Sequence, residues 1–469
     1  MARPRPLSGF PEWLPAGRLV ERHVIETLGR VFALHGFIEI ETRAVEPLDQ
    51  LLRKGETSKE VYVLRRLQDL GQTGADSKTL GLHFDLTVPL ARYVLENAGR
   101  LAFPFKRYQC QKVWRGERPQ DGRYREFVQA DVDVIGAGDL PFHHEIELPL
   151  VMAEALAALG VGQFRVLANN RKLVQGFGAG LGLADTEVAL RWIDKLDKIG
   201  REAARAGLLG DGLTAAQAEA FLALAAISTD DAARLAAAVK SLAARAGTGG
   251  ALLDQGLGEL VALLERAGAR RPGAVVADLK IARGLDYYTG AVYETVWLGQ
   301  ESLGSVCSGG RYDSLAREGG QTYPGVGLSV GVSRLVGRIL SEGLLEPTRV
   351  SPAAVVVAVA DEASRVDSDR VAARLRARGI PAEVAPSAAK YGKQIKYADQ
   401  RGIPYVWFPS PDGAGSGPGG IVQTSEGTLG QVKDIRGGEQ IEADADSWTP
   451  PAADLAIRVA APKTPTRGR

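Results

Sequence analysis

The chain has 469 residues, of which 45% are hydrophobic and 24% are charged, and its formal net charge is +1. This length predicts two to four domains, and the near-neutral charge means that any nucleic-acid contact must use local basic patches. The two cysteines, Cys110 and Cys307, have no metal-ligand spacing and form no disulfide framework, which favours a reducing compartment, the cytoplasm. No apolar run reaches about eighteen residues, so the sequence predicts no membrane span.

The first predicted elements are a helix and short strands. Apolar residues at helical spacing predict the helix, namely Val20, Val24, Leu28 and Val31. Gly36 is placed to end it, and 37–42 alternates like a strand. Residues 53–80 are polar and contain glycines, which predicts a mobile loop with a short hairpin. Strand 82–86 then leads into a helix whose first turn holds Pro89.

The next segment is predicted to form a hairpin with a basic tip. Alternating patterns at 105–114 and 125–135 predict two strands around a polar loop. Within 105–125 two acids stand against seven basic residues, which are Lys106, Arg107, Lys112, Arg115, Arg118, Arg123 and Arg125. Guanidinium groups bind phosphate bidentately and stay charged. A strand period relates Arg115, Glu117, Arg123 and Gln129, which favours a phosphate site over an ordinary solvated hairpin.

The middle of the chain changes character. Residues 183–268 are rich in Ala and Leu and almost free of strand patterns, which predicts a helical insertion. Periodicity alone fits a plain helical layer of the core nearly as well. Strand patterns return from 274 and include the Gly-rich segment 304–315. The predicted core therefore has a first part, 1–182, and a second part, 269–346.

The C-terminal residues predict a separate small domain and a tail. Strand and helix patterns alternate in 353–445, which indicates an α/β unit with parallel strand pairs. Within it, the helix predicted at 388–402 has three lysines on one side, Lys390, Lys393 and Lys396. The segment 446–469 carries Pro and Arg and is predicted to be disordered.

Several motifs in this sequence resemble those of one enzyme family. Trp-Arg-Gly-Glu at 114–117, followed by Arg123, is similar to the strand–loop–strand motif of class II aminoacyl-tRNA synthetases, with Trp in place of the usual Phe. The segment GVGLSVGVSRL resembles another motif of that class and supplies Arg334. RGLDYYTG at 283–290 and SGGRYDSL at 308–315 resemble signatures of the histidyl-tRNA synthetases.

The resemblance covers roughly 15–440 and implies both fold and reaction. It implies an α/β (α+β) fold, in which a class II synthetase core has a mixed, mainly antiparallel sheet. The core carries the helical insertion, and 353–445 is an anticodon-binding domain. The implied activity is that of a histidine–tRNA ligase, which uses ATP to form histidyl-adenylate and then transfers L-histidine to the 3′ end of tRNA(His). Because the first helix and 37–42 resemble the family's dimer-forming motif, a homodimer is expected.

The resemblance also implies an ATP site. Arg115 would clamp the α-phosphate, while Arg123 and Arg334 would hold the γ-phosphate side. Glu117 would bind the adenine amine, and Phe127 would stack on the base. Both reactants are anions, so arginines are suited to bring them together. Mg²⁺ would bridge the phosphates, without a metal site made of protein side chains alone.

The implied histidine site has eight residues, which are Asp85, Thr87, Arg115, Gln129, Asp133, Arg283, Tyr287 and Tyr288. The ammonium would meet Asp85, Thr87 and Gln129. Arg283 would contact the carboxylate and the α-phosphate, at a position that a second metal takes in relatives, and is catalytic together with Arg115. Asp133 and Tyr288 would read the two imidazole nitrogens, with Tyr287 beside them. An alternative for Asp133 is a buried acid that is paired for structure.

The three lysines of the small domain are expected to contact the tRNA anticodon. Two other functions fit part of the sequence. A regulatory subunit of ATP phosphoribosyltransferase usually lacks the anticodon domain, which is predicted here, and Arg115, Arg283 and Arg334 are all present. A class II synthetase for proline or threonine is disfavoured by RGLDYY and Asp133.

Overall fold

The computed structural model describes residues 5–52, 60–67, 79–120, 122–282, 288–410 and 429–462. These residues form two compact units. One takes the residues up to 12 together with 21–341, and the other takes 13–20 and the residues from 342 onward. The helical region predicted as an insertion therefore shares a unit with the core.

Helices occur in both units. The described helices are α1 Pro15–Leu34, α2 Leu48–Leu51, α3 Thr87–Asn97, α4 His143–Ala157, α5 Arg171–Gly180, α6 Glu187–Ile193, α7 Leu196–Gly210, α8 Ala215–Ala225, α9 Ala232–Ala246, α10 Ala251–Arg270, α11 Val332–Ser341, α12 Arg365–Ala377, α13 Tyr391–Gln400 and α14 Ala452–Leu455. The apolar residues predicted for α1 are buried, and Gly36 follows the helix with a φ of 79°. Within the described ranges, no helix is long and apolar enough to cross a membrane.

Strands build the sheets of both units. The described strands are β1 Ile38–Glu39, β2 Val45–Pro47, β3 Val63–Leu64, β4 Leu80–Leu82, β5 Phe105–Trp114, β6 Glu126–Ile135, β7 Phe164–Asn170, β8 Ser228–Thr229, β9 Val275–Asp278, β10 Ala291–Trp297, β11 Cys307–Tyr312, β12 Arg317–Glu318, β13 Gln321–Thr322, β14 Gly325–Gly331, β15 Glu346–Pro347, β16 Val355–Val357, β17 Ala382–Val384, β18 Tyr405–Pro409, β19 Leu429–Asp434, β20 Gln440–Asp444 and β21 Val459–Ala460. Of the loop predicted at 53–80, residues 53–59 and 68–78 lie outside the described part, and β3 pairs with β4 in the remainder.

The first unit is organised around a nine-stranded sheet. Its strand order is β1-β5-β6-β14-β11-β10-β7-β9-β8. The β1–β5 and β7–β9 pairs are parallel, and the other neighbours are antiparallel. The sheet is therefore mixed and mainly antiparallel, as the sequence predicted. It has this form because hairpin-type connections give antiparallel pairs, whereas helical crossovers are needed for parallel ones.

The predicted basic hairpin lies inside this sheet. β5 and β6 pair in register from Phe105 with Ile135 to Trp114 with Glu126. β6 is also paired with β14 on its other side, and α11 packs against it. β6 is therefore buried along most of its length, which explains why its polar residues belong to a site rather than to a solvated face.

The helical region from α6 to α10 is built onto the core. α10 packs closely on α5, because two glycines allow their backbones to meet. A Cβ at Gly176 would lie 2.3 Å from Leu253 N, and one at Gly256 would lie 2.1 Å from Leu173 N. The short strand β8 pairs with β9 and so extends the main sheet. The described region is thus mainly helical and shares one compact unit with the sheet.

The second unit contains a small α/β sheet. Its strand order is β17-β16-β18-β19-β20, with β16 parallel to β17 and β18 and the remaining neighbours antiparallel. Val355, Val357 and Trp407 are fully buried in its core. The predicted alternation of strands and helices around parallel pairs is confirmed for 353–409.

The predicted disorder of 446–469 is wrong for residues 446–462. β21 pairs with β15, and the indole of Trp448 packs edge-on against that of Trp407, with 5.6 Å between ring centroids. Arg349 donates to the carbonyl oxygen of Asp454 at 2.8 Å, and Arg436 forms an ion pair with the carboxylate of Asp454 at 2.9 Å. Long-range packing of one tryptophan and one aspartate orders a segment whose composition suggested disorder.

Candidate active site

A cleft of about 310 Å³ opens along the central strands of the main sheet. Ten of the predicted site residues line it, namely Asp85, Thr87, Arg115, Glu117, Arg123, Phe127, Gln129, Asp133, Tyr288 and Arg334. Arg283 and Tyr287 lie outside the described residues. The structure therefore brings together every described residue that was predicted to bind ATP or histidine.

The floor of the cleft follows from the register of β5, β6 and β14. Paired residues lie on the same face of a sheet, and two rows result, Arg107–Asp133–Gly327 and Gln109–Asp131–Ser329. Gly327 leaves space for the carboxyl group beside it, since a Cβ there would lie 1.9 Å from Asp133 Oδ1. The sheet thus presents two aspartates side by side.

Arg115 lies at the end of the hairpin strand β5. Its Nε donates to the carbonyl oxygen of Phe84 at 3.0 Å, and its Nη2 donates to Gln129 Oε1 at 3.3 Å. Its guanidinium lies over the ring of Phe127, 5.2 Å from the centroid. These contacts hold a cation at the wall of the cleft, next to an aromatic face on which a base can stack.

Arg334 belongs to the first turn of α11, directly after β14. Its Nε donates to the carbonyl oxygen of Gly122 at 2.9 Å, and its Nη1 donates to that of Ser305. Gly122 lies in the loop of the hairpin and has a φ of 66°, which a glycine adopts without strain. Arg334 therefore ties the hairpin loop to the helix that closes this end of the cleft.

Asp85 and Thr87 lie at the start of α3. Asp85 is buried, and its Oδ1 accepts a hydrogen bond from the backbone N–H of Val88 at 3.1 Å. This contact satisfies one of the amide groups that a helix leaves unpaired at its start. The carboxyl group is thereby held in one position at the wall of the cleft.

Asp133 has the features expected of a substrate-binding residue and also those of a buried acid that is paired for structure. It lines the cleft, and it also forms a buried ion pair, with 2.7 Å between its Oδ2 and Arg107 Nη2. The hydroxyl of Tyr312 donates to its Oδ1 at 2.7 Å. Both partners stabilise the charged carboxylate. Arg107 and Tyr312 were not predicted as site residues, although both lie in motifs that the sequence analysis singled out.

Asp131 is a further cleft residue that sequence reasoning missed. It lies between Gln129 and Asp133 on the same face of β6, and its side chain is buried. Burial is the main cause that raises the pKa of Asp131 to about 7; the charge of Asp133 adds to the rise, and Arg107 opposes it. The strand period alone would have found this residue, because positions 129, 131 and 133 share one face.

Glu60 lies beside the predicted adenine-binding acid Glu117. Burial raises the pKa of Glu60, Arg115 opposes this rise, and Glu117 adds to it through its charge and a hydrogen bond. The carbonyl oxygen of Glu60 also accepts from the backbone N–H of Gly116 at 2.8 Å. No periodic pattern in the sequence signals this residue, since it belongs to the polar segment before β3.

Tyr288 packs over the strand β11. A Cβ at Gly310 would lie 2.9 Å from Tyr288 Cδ1, so the glycine allows the ring to lie directly on the sheet. Here the Gly-rich segment permits the close approach of a side chain to backbone.

The three predicted tRNA-binding lysines lie in the second unit. Lys390 directly precedes α13, and Lys393 and Lys396 belong to it. All three are exposed, and Lys393 and Lys396 lie on a different side of the helix from Gln394 and Ala398, which are buried. The lysines thus form one solvent-facing basic strip.

Comparisons with known proteins bear on this arrangement. A family model described as histidyl-tRNA synthetase matches residues 9–335, and a model described as anticodon binding domain matches 353–408. The chain belongs to the histidyl-tRNA synthetase family. Histidine–tRNA ligase of Bifidobacterium longum subsp. infantis is 58% identical over 461 residues, which cover 96% of this chain and 98% of that protein. Histidine–tRNA ligase of Micrococcus luteus is 55% identical over 471 residues, covering 98% and 99%.

Solved structures agree with this membership. A histidyl-tRNA synthetase from a Nostoc species has a TM-score of 0.79 at 32% identity, covering 95% of this chain and 98% of that one. A Bacillus halodurans protein described as an ATP phosphoribosyltransferase regulatory subunit/histidyl-tRNA synthetase has a TM-score of 0.67 at 20% identity and shares the fold alone. The predicted family, the fold class and the assignment to the aminoacyl-tRNA synthetases are therefore confirmed.

Proposed function

We propose that this chain is a histidine–tRNA ligase, which activates L-histidine with ATP and then transfers it to tRNA(His). The observation that carries this proposal is one cleft that brings together arginines and carboxylates. Arg115, Arg123 and Arg334 supply the cations, and Asp85 and Asp133 supply carboxylates. The cations suit the phosphates of ATP, and the carboxylates suit an ammonium and an imidazole. Membership of the family supports the same reaction.

In the first step a carboxylate oxygen of histidine attacks the α-phosphorus of ATP, and diphosphate leaves. Arg115 holds the α-phosphate and the carboxylate near each other and offsets the charge that develops between them. Arg123 and Arg334 bind the γ-phosphate side. Phe127 stacks on adenine, and Glu117 accepts from its amine. Arg283 is assigned to the carboxylate and the α-phosphate by its motif.

Mg²⁺, bound with ATP, would offset the charge of the phosphates. Among the described residues, no group of three His, Cys, Asp or Glu side chains could hold a metal ion. The chain's own contribution to charge neutralisation comes from arginines.

The histidine side of the cleft recognises two polar groups of the substrate. Asp85, Thr87 and Gln129 accept from the ammonium. Asp133 accepts from one imidazole N–H, and Tyr288 meets the other nitrogen, with Tyr287 beside it. The contacts from Arg107 and Tyr312 favour the charged carboxylate that this role requires of Asp133.

The second step requires tRNA and adds two partners to the proposal. The exposed strip of Lys390, Lys393 and Lys396 contacts the anticodon.

A second copy of the chain pairs through α1 and the edge strand β1, where Leu34 and Ile38 are 73% and 62% exposed. Light scattering at micromolar concentration should therefore report a dimer, and a stable active monomer would contradict it. We place the reaction in the cytoplasm, as for protein synthesis in general.

An amino-acid-dependent ATP–diphosphate exchange assay with each of the twenty amino acids tests the proposed reaction. Histidine alone should support exchange, and the purified chain should then charge tRNA(His). Exchange with another amino acid would overturn the substrate assignment. Absence of exchange with all twenty would overturn the catalytic assignment.

Arg283→Ala should slow adenylate formation by ~10²–10³, since loss of one charge-stabilising donor commonly has this effect.

A further inference from the structure

A hydrogen-bonded chain in the cleft runs from Arg115 through Gln129 to two residues without an assigned role, Ser329 and Asp131. Gln129 Nε2 donates to the hydroxyl of Ser329, and that hydroxyl donates to Asp131 Oδ1. Ser329 lies opposite Asp131 on the neighbouring strand β14, so the register of the sheet sets this contact. At the other end, Gln129 Oε1 accepts from Arg115 at 3.3 Å.

The direction of this chain follows from chemistry. An ionised carboxylate can only accept, so Asp131 forces the single hydroxyl proton of Ser329 toward itself. The Ser329 oxygen must then accept from its other neighbour, which has to be the amide nitrogen of Gln129. The amide oxygen of Gln129 is therefore turned away from Ser329 and toward the side of Arg115.

Arg115 alone does not fix this orientation during the reaction. In the structure its guanidinium donates to the amide oxygen of Gln129. In the proposed reaction it binds the α-phosphate and the carboxylate instead. The amide then depends on Ser329 and Asp131 alone. A flipped amide would present its NH₂ group to the substrate ammonium, which is a donor facing a donor.

We propose that Asp131 and Ser329 are positioning residues, which hold the amide oxygen of Gln129 toward the ammonium of histidine. The inference rests on the proposed role of Gln129 and adds two residues that act through it. Asp131 and Ser329 thereby favour an amino acid with a free ammonium. Neither residue donates or accepts a proton in the chemical step.

The charge of Asp131 matters for this role, because a protonated carboxyl group could donate to Ser329. The direction of the hydrogen bonds between Asp131, Ser329 and Gln129 would then be reversed. Burial raises the pKa of Asp131 to about 7, so the orientation is held above this pH and weakens below it. Five charged or titratable groups interact electrostatically with Asp131. Arg107 on β5, Asp133 on β6 and Asp85 before α3 affect its pKa, and its charge affects the pKa of Cys110 on β5 and of Cys307 on β11.

The experiment compares Ser329→Ala, Asp131→Asn and Gln129→Ala in the exchange assay with the full chain. Ser329→Ala and Asp131→Asn should each raise the KM for histidine by ~10-fold, the effect of about one hydrogen bond, and change that for ATP by less than about twofold. Imidazolepropionate, which lacks the ammonium, should inhibit wild type and both variants with the same Ki. Thr295→Val is the matched control, since it removes a buried hydroxyl from the same sheet.

A second readout uses pH. The ratio of the KM for histidine in Ser329→Ala to that in wild type should approach one as the pH falls through about 7, because wild type then loses the same contact. The titration of free histidine affects both proteins equally and cancels in the ratio. A ratio that does not change with pH would contradict the role of the Asp131 charge.

The outcomes separate this inference from the proposed function. If Gln129→Ala leaves the KM for histidine unchanged, the assignment of Gln129 to the ammonium fails. If Gln129→Ala raises it but Ser329→Ala and Asp131→Asn do not, the positioning role is overturned and the proposed function stands. An equal loss of affinity for imidazolepropionate would show a general distortion of the cleft and would also overturn it.

Discussion

Asp133 combines a buried ion pair with a place at the wall of the cleft. Arg107 is fully buried and lies 2.7 Å from this carboxylate, whereas its distance to Asp131 is 4.0 Å. Replacing a single partner of such a pair leaves an uncompensated charge in the interior. The proposed recognition of histidine and the stability of the sheet therefore depend on the same carboxylate.

Asp133→Asn should raise the KM for histidine by ~10² or more and leave the KM for ATP almost unchanged, because an amide no longer accepts reliably from the ring N–H. The free energy of unfolding should fall by about 3 kcal/mol, since Arg107 loses its nearest carboxylate. Exchange kinetics and denaturant unfolding measure the two effects. Tyr312→Phe is the control, because it removes one hydrogen bond and keeps the ion pair. Equal weakening of ATP and histidine would show that Asp133 has only a structural role.

Gly327→Ala tests the same site from the neighbouring strand. The added methyl would lie 1.9 Å from Asp133 Oδ1, so the carboxyl group must move. The KM for histidine should rise by at least ~10-fold, whereas Gly331→Ala on the same strand should leave it unchanged. At Gly331 the nearest atom to an added Cβ is 3.5 Å away, which is an ordinary contact. An unchanged KM in Gly327→Ala would show that the position of Asp133 does not matter for histidine.

At the scale of elements, local patterns in the sequence predicted most of what the structure contains. The alternation in β5 and the apolar stripe of α1 are repeated within one element, so the sequence alone reveals them. The ion pair of Arg107 and the chain from Gln129 to Asp131 depend on the pairing of β5, β6 and β14, and β14 lies far away in sequence. The order in 446–462 likewise depends on Trp448 meeting Trp407, which composition does not reveal.

Truncation tests whether the ordered residues 446–462 stabilise the second unit. Truncation after 445 removes β21, Trp448 and Asp454, and so leaves Arg349 and Arg436 without contacts that the structure shows. The melting temperature of the second unit should fall by at least about 5 °C in calorimetry, since about 1 kcal/mol shifts a small domain by this amount. Truncation after 462 is the control and should have no effect. Equal melting temperatures for the two truncations would contradict a stabilising role.

At the level of the whole molecule, the proposed function divides the reaction between the two units. It assigns adenylate formation, which requires no tRNA, to the cleft of the first unit, and recognition of the anticodon to the second unit. A change in one unit should therefore affect one part of the reaction, which makes the tRNA proposal directly testable.

Replacing Lys390, Lys393 and Lys396 by Gln should raise the KM for tRNA and reduce its dependence on salt, because fewer cations are released per binding event. ATP–diphosphate exchange should be unchanged. Arg370→Gln with Arg374→Gln is the control, since both residues lie on another helix of the same unit. An unchanged KM for tRNA in the lysine variant would remove α13 from the anticodon contact.

The strand order of the main sheet also bears on how the chain folds during synthesis. β6 carries Asp131 and Asp133 and ends at Ile135, yet its neighbour β14 begins only at Gly325. At roughly 5–20 residues per second, tens of seconds pass on the ribosome before β14 emerges. During that interval β6 can pair only with β5, and the two aspartates remain open to water. Their desolvation is thus deferred until the partner strand arrives, and the nascent cleft cannot close before then.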